Sequence, residues 1–101
     1  MRRICVVLAA LAAGAASAQG DIDEGKRLFT GGVTPACALC HTLKDAGAEG
    51  AIGPSFDELQ PDAARVVKAV KTGIGQMPAF TQLTEAQVKA IARYVETASR
   101  K

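Results

Sequence analysis

Three observations predict an all-α chain of three to four short helices. Residues 63–74 and 84–95 each carry apolar side chains at the three- and four-residue spacing of one helix face. No stretch alternates apolar and polar residues as a half-buried strand does. Between the first helical stretch and these two lies Cys37-Ala38-Leu39-Cys40-His41. Two thiols separated by two residues, with a histidine directly after the second, form the attachment signature of a c-type haem. Each thiol adds to one porphyrin vinyl group and becomes a thioether, and the next residue stands beside the iron, where its imidazole can serve as proximal ligand. A cysteine pair in an exported chain can also be a disulfide, a redox-active dithiol or a metal clip. Zinc would need four ligands, and this chain has one histidine in all. A thioredoxin-like site would follow a strand in a βαβ pattern, which is not seen. His41 decides for haem.

Ahead of this lies a targeting segment. Met1-Arg2-Arg3 is basic, Ile4 to Ala13 is apolar, and Ala16-Ser17-Ala18 is an A-x-A site of small residues. The pattern is that of a secretory signal peptide cleaved after Ala18. Its apolar run is far shorter than the ~20 residues of a membrane-spanning helix. The expected organisation is a signal peptide over 1–18 and one domain over 19–101, exported to the periplasm and without a membrane span once the signal is removed. Cys5 leaves with the signal, so Cys37 and Cys40 are the domain's cysteine pair. The 12 Lys and Arg fall to 10 without Arg2 and Arg3, which equals the 10 Asp and Glu. The basicity belongs to the targeting signal and offers no footing for nucleic acid.

The first helix is expected over 21–30. Asp21, Asp23 and Glu24 put negative charge at its start, where the helix dipole favours it, and Ile22, Gly25, Leu28 and Phe29 form a narrow apolar stripe. A glycine inside such a stripe suggests close approach of another backbone, because glycine costs a helix about 1 kcal/mol against alanine. Gly31-Gly32 ends the helix. Residues 44–53, with Gly47, Gly50 and Gly53, have no periodicity and read as a loop compact enough to pack against a cofactor edge. Phe56 and Leu59 supply apolar bulk beyond it.

Pro61 suits the first position of the next helix. Ala63, Val66, Val67, Val70 and Ile74 make its apolar face, opposite Asp62, Arg65, Lys68 and Lys71. That cationic side is a solvated face or a docking surface. Residues 75–80 are a loop containing Met77-Pro78. Met77 is the one methionine left once Met1 is removed. A lone methionine is ordinarily core filler. Here an iron needs a sixth ligand, the single histidine is already committed, and Pro78 pins the loop. Met77 is therefore the expected distal ligand. Thr84 and Gln87 have the spacing of a capping box, Val88, Ile91, Ala92 and Val95 form the last apolar face with Tyr94 at its edge, and Glu85 can pair with Lys89 one turn on.

With these pieces in this order the chain resembles the class I c-type cytochromes over essentially its whole mature length. The resemblance rests on Gly25 and Phe29 in a first helix, Cys37 to His41, Gly53-Pro54, Met77-Pro78 in a loop, and a last helix carrying Ile91 and Tyr94. It implies the cytochrome c fold, all-α, with three to four short helices wrapped around one covalent haem c. It also implies that Gly25 and Phe29 meet Ile91 and Tyr94 where the first and last helices cross. Cys37 and Cys40 then hold the haem, His41 and Met77 are the axial metal ligands, and the Pro54 carbonyl accepts a hydrogen bond from His41. The chain departs from many members in having no tryptophan, which leaves the contacts of the haem propionates open, and in lacking a dense lysine ring.

His/Met ligation fills both axial positions and raises the reduction potential relative to bis-histidine ligation. The expected function is that of an electron carrier, not an enzyme. It would exchange single electrons with protein donors and acceptors (a dehydrogenase, a terminal oxidase or a reductase), as a monomer or in transient complexes. The alternative is a haem-bearing subunit of a periplasmic dehydrogenase, for example one oxidising sulfite or an alcohol. A peroxidase or gas sensor would require Met77 to dissociate easily.

Overall fold

The computed structural model describes residues 18–101, so the signal peptide expected over 1–18 lies, but for Ala18, outside the described residues. Five helices appear among them. Three are substantial: α1 over 18–27, α4 over Ala63–Thr72 and α5 over Glu85–Ala98. Two are single turns, α2 over Cys37–Cys40 and α3 over Phe56–Leu59.

Helix α1 is already formed at residue 18, a few residues earlier than its charge pattern suggests. Gln19 Nε2 donates to Asp23 one turn on, at 3.0 Å. The helix widens into a π turn over Leu28–Gly32 and ends in extended Val33, so Gly31-Gly32 does close it. On its inner face Gly25 has no room for a side chain. A Cβ there would press on the carbonyl of Ala90 and stand 2.6 Å from Tyr94 Cβ. One residue pair further along, the rings of Phe29 and Tyr94 meet edge to face, with centroids 5.9 Å apart. The glycine lets α1 and α5 touch backbone to backbone, and the aromatic pair seals the crossing. Leu28, Phe29, Ile91, Tyr94 and Val95 are all essentially without solvent exposure.

The expectation that the chain holds no strand is corrected. Thr42–Leu43 and Ala48–Glu49, β1 and β2, form a two-residue antiparallel ladder with Thr42 opposite Glu49 and Leu43 opposite Ala48. A 3-10 turn over Lys44–Ala46 joins them, closed by Gly47 at φ 62. A ladder of two residues is too short for alternation to show.

Helix α4 starts differently from the expectation. Its cap is Asp62, whose carboxylate accepts from Arg65 N at 2.8 Å. Pro61 lies outside the helix, ahead of that cap. Glu96 of α5 adds a second cap by accepting from Ala63 N at 2.6 Å, and Arg100 donates to the carbonyls of Pro61 and Gln60 at 3.0 and 2.8 Å. The C-terminal end of α5 thereby clasps the start of α4. Gly73, at φ 70, ends α4. Ile74 consequently leaves the helix face assigned to it and is 71% exposed.

Helix α5 has the expected capping box: Gln87 N donates to Thr84 Oγ1 at 3.1 Å, and Thr84 N to Gln87 Oε1 at 2.9 Å. Glu85 pairs with Lys71 of α4 at 2.7 Å, where the pattern suggested Lys89. Tyr94 is buried, not at an edge, and its hydroxyl donates to Asp45 Oδ2 at 2.7 Å.

Candidate functional site

The crossing of α1 and α5 forms the back of a cavity of about 890 Å³, within the range of small-molecule and cofactor sites, roughly 300–1,000 Å³. Its floor is apolar, with Phe29, Phe80, Ile91 and Val95, and α4 adds Val66 and Val70. Cys37, Cys40 and His41 line it, and so do Met77 and Pro78. All four residues expected to hold the haem thus face one space, although they come from different elements.

The sequence around His41 determines how the imidazole is held. Its Nδ1 stands 2.8 Å from the Pro54 carbonyl oxygen. A carbonyl can only accept, so Nδ1 carries the proton and donates, which leaves the Nε2 lone pair free. Phe56 stacks on the other aspect of the ring at a centroid distance of 4.1 Å and an interplanar angle of 14°. Gly53 passes so close that a Cβ there would lie 2.8 Å from Nδ1, and its N–H donates to the Cys40 carbonyl at 2.6 Å. Gly50 packs as tightly on the backbone of Cys40 and His41. The glycine-rich segment therefore clamps the Cys37–His41 turn and the histidine ring, and its Ile52 and Gly53 also line the cavity. A hydrogen-bonded, sterically trapped imidazole is what a metal-ligating histidine ordinarily has.

Burial pushes the Cys37 thiol up to about 11, with a smaller upward contribution from Cys40 and a downward one from a backbone hydrogen bond. A thiol so shielded is neutral at ordinary pH, unlike the low-pKa thiolate of a redox-active dithiol. Among the described residues no group of three or more His, Cys, Asp and Glu is placed to hold a bare metal ion.

On the distal side Met77 is partly buried. Its backbone exchanges two hydrogen bonds with Ile74, at 3.1 and 2.9 Å. Gly73 makes that tight loop possible, since a Cβ there would fall 2.8 Å from the Met77 carbonyl oxygen. Phe80 N donates to Val70 O at 2.8 Å and ties the far end of the loop to α4. A haem suits these donors. There is an apolar cavity, two thiols beside it, one imidazole with a freed nitrogen, and one thioether side chain in the same lining.

Two further features were not foreseen. Arg65 and Lys68 line the cavity, while Lys71, expected to share their face, does not and is bound to Glu85 instead. Spacing did not signal this: at about 100° per residue Arg65 and Lys68 fall well away from the stripe of buried Val66 and Val70. Asp45 was also missed. It sits behind the His41 turn and receives Tyr94, Lys101 at 3.0 Å and Lys26 at 3.6 Å. The hydrogen bond from Tyr94, then that from Lys101, holds its carboxyl below the usual value.

Comparison with known proteins agrees with this geometry. The domain family described as cytochrome C oxidase, cbb3-type, subunit III matches residues 20–95. Cytochrome c6 of Cyanidioschyzon merolae is 29% identical over 89 residues, covering 80% of this chain and 78% of that one. Cytochrome c-551 of Halorhodospira halochloris is 34% identical over 58 residues, covering 56% and 73%. The crystal structure of the c-type cytochrome SorU from Sinorhizobium meliloti superposes with a TM-score of 0.79 at 48% identity, covering 80% of this chain and 93% of that one.

Proposed function

The chain belongs to the cytochrome c family represented by that subunit III domain and is a class I c-type cytochrome, a monohaem electron carrier with haem c attached through Cys37 and Cys40; from that premise we propose that His41 and Met77 are the axial ligands and that the protein shuttles electrons in the periplasm. The observation that carries the ligand assignment is the Pro54–His41 hydrogen bond, which commits Nδ1 and leaves Nε2 for the iron. Haem c supplies a one-electron Fe(II)/Fe(III) couple when bound.

The chain's own residues shape how that couple is used. Pro54, Phe56 and Gly53 fix the imidazole, so it would hold a bound haem iron with little need to reorganise. The Ile74–Met77 pairing and Gly73 hold the thioether loop to α4. Phe29, Phe80, Ile91 and Val95 keep water from the floor of the site. With His41 and Met77 both committed to a bound haem, oxygen and peroxide would find no open position on it. Export is supported by the basic start, the apolar run and Ala16-Ser17-Ala18. Among the described residues no helix is long and apolar enough to cross a membrane.

The test is optical. The ferric protein should show the long-wavelength absorption of a methionine–iron bond, lose it in Met77→Ala, and bind carbon monoxide quickly when reduced only in that variant. Rapid binding by the unaltered protein would refute the ligand assignment. Intact mass of the exported protein, beginning at Gln19 and carrying one haem, tests cleavage after Ala18.

A further inference from the structure

The cavity lining has an asymmetric charge. Among the described residues its charged members are Arg65 and Lys68, both cationic, and no Asp or Glu lines it. Neither cation has a carboxylate partner among the described residues, whereas Lys71 on the same helix is paired with Glu85. The two lie one turn apart on α4 and line the cavity together with Ala69 and Thr72 of the same helix. Haem c brings two carboxylates, its propionates, and an apolar pocket closes over such charges only if cations meet them. We propose that Arg65 and Lys68 are the cationic anchors of the haem propionates, Arg65 through the two-pronged geometry of its guanidinium. The pair then belongs to the cofactor site, and a role as a free docking patch for redox partners falls away. The proposal rests on the haem occupying this cavity. The axial-ligand reading can fail independently, since it is read from the methionine–iron absorption of the unaltered protein.

A cation beside a carboxylate holds its pKa down, and an ionising propionate makes the midpoint potential depend on pH. Redox titration of the holoprotein across pH should therefore show the pH-dependent segment moving upward by about one pH unit in Arg65→Gln, by less in Lys68→Gln, and back toward the original in Arg65→Lys. Lys71→Gln, on the same helix but paired with Glu85, should leave the profile unchanged. Both target side chains are exposed, and an unaltered haem spectrum and helical circular dichroism verify that each variant is folded. Profiles for Arg65→Gln and Lys68→Gln that coincide with that of Lys71→Gln would overturn the proposal. So would variants that alter only the salt dependence of reduction by a partner, which is the mark of a docking patch.

Discussion

The two halves of the molecule are built on different terms. Where α1 crosses α5, the chain supplies its own partners. Gly25 accepts the backbone of α5, Phe29 meets Tyr94, and Leu28, Val88, Ile91, Ala92 and Val95 have almost no exposure. Across the cavity the same chain leaves apolar groups uncovered, with Ile52 70%, Ile74 71% and Leu59 36% exposed, and all three line the cavity. The first half is a protein core. The second is a mould whose filling is not polypeptide. A domain this small, with three Phe, one Tyr and no Trp, buries too little apolar surface to complete both halves alone. A covalent porphyrin acts as the missing part of the core.

The largest expected effect follows from that contrast. Replacing Cys37 and Cys40 with serine, which prevents attachment, should abolish cooperative thermal unfolding and most far-ultraviolet ellipticity of the mature chain. A haem-free chain with a native-like spectrum and a sigmoidal melt would show that the crossing half alone carries the fold. Next, Phe29→Ala removes the ring shared by both halves, since Phe29 packs on Tyr94 behind and lines the cavity in front. It should cost about 3–5 kcal/mol of the holoprotein's stability in denaturant titration. Gly25→Ala touches the crossing only and should cost about 1–3 kcal/mol through overpacking against Ala90 and Tyr94, with the haem spectrum unchanged. A spectral change in Gly25→Ala would mean that the halves are not separable in this way.

Smaller effects sharpen the boundary. Tyr94→Phe removes the hydroxyl that reaches from the core to Asp45, behind the His41 turn. It should cost about 1 kcal/mol at neutral pH, less than the roughly 1.5–3 kcal/mol of a buried hydrogen bond to a charged group, because Asp45 is partly solvated. The pH dependence has a definite sign. The Asp45 carboxyl is held below its usual value, first by Tyr94 and then by Lys101, so its contribution is fully present above about pH 4 and fades as pH falls through the folded-state value. The stability gap between the parent and Tyr94→Phe should thus be constant at neutral pH and narrow in acid. A gap that widened in acid would reverse the assignment. Thr84→Ala, which opens the capping box of α5 at a residue that does not line the cavity, should cost about 1 kcal/mol.

The halves also differ in how far they could be read from residues alone. The motif at Cys37 to His41, the capping box at Thr84 and Gln87, and the glycine at position 25 are local signals whose chemistry demands short, fixed spacings. Each kept its meaning in three dimensions. What could not be read depended on where the chain turns. Ile74 satisfied a helical period on paper, yet Gly73 at φ 70 ends the helix one residue before it. Lys71 and Arg65 shared a polar face by spacing, but Glu85 from the next helix captured one and the cavity took the other. Asp45 sat in an aperiodic stretch, and its partners Tyr94 and Lys101 lie 49 and 56 residues away, beyond any local pattern. The 42–49 ladder was too short to alternate. The cofactor half was legible as chemistry but not as geometry, because its walls are loops whose positions are set by glycines and by other elements.

The most direct test of the account is the proton NMR spectrum of the reduced holoprotein. A methionine methyl held against the haem face feels the ring current. A single three-proton resonance shifted far upfield is expected, retained when Arg65 or Gly25 is changed and lost in Met77→Ala. A reduced protein with no upfield methyl, or one that keeps it in Met77→Ala, would contradict the placement of His41 and Met77 on one iron.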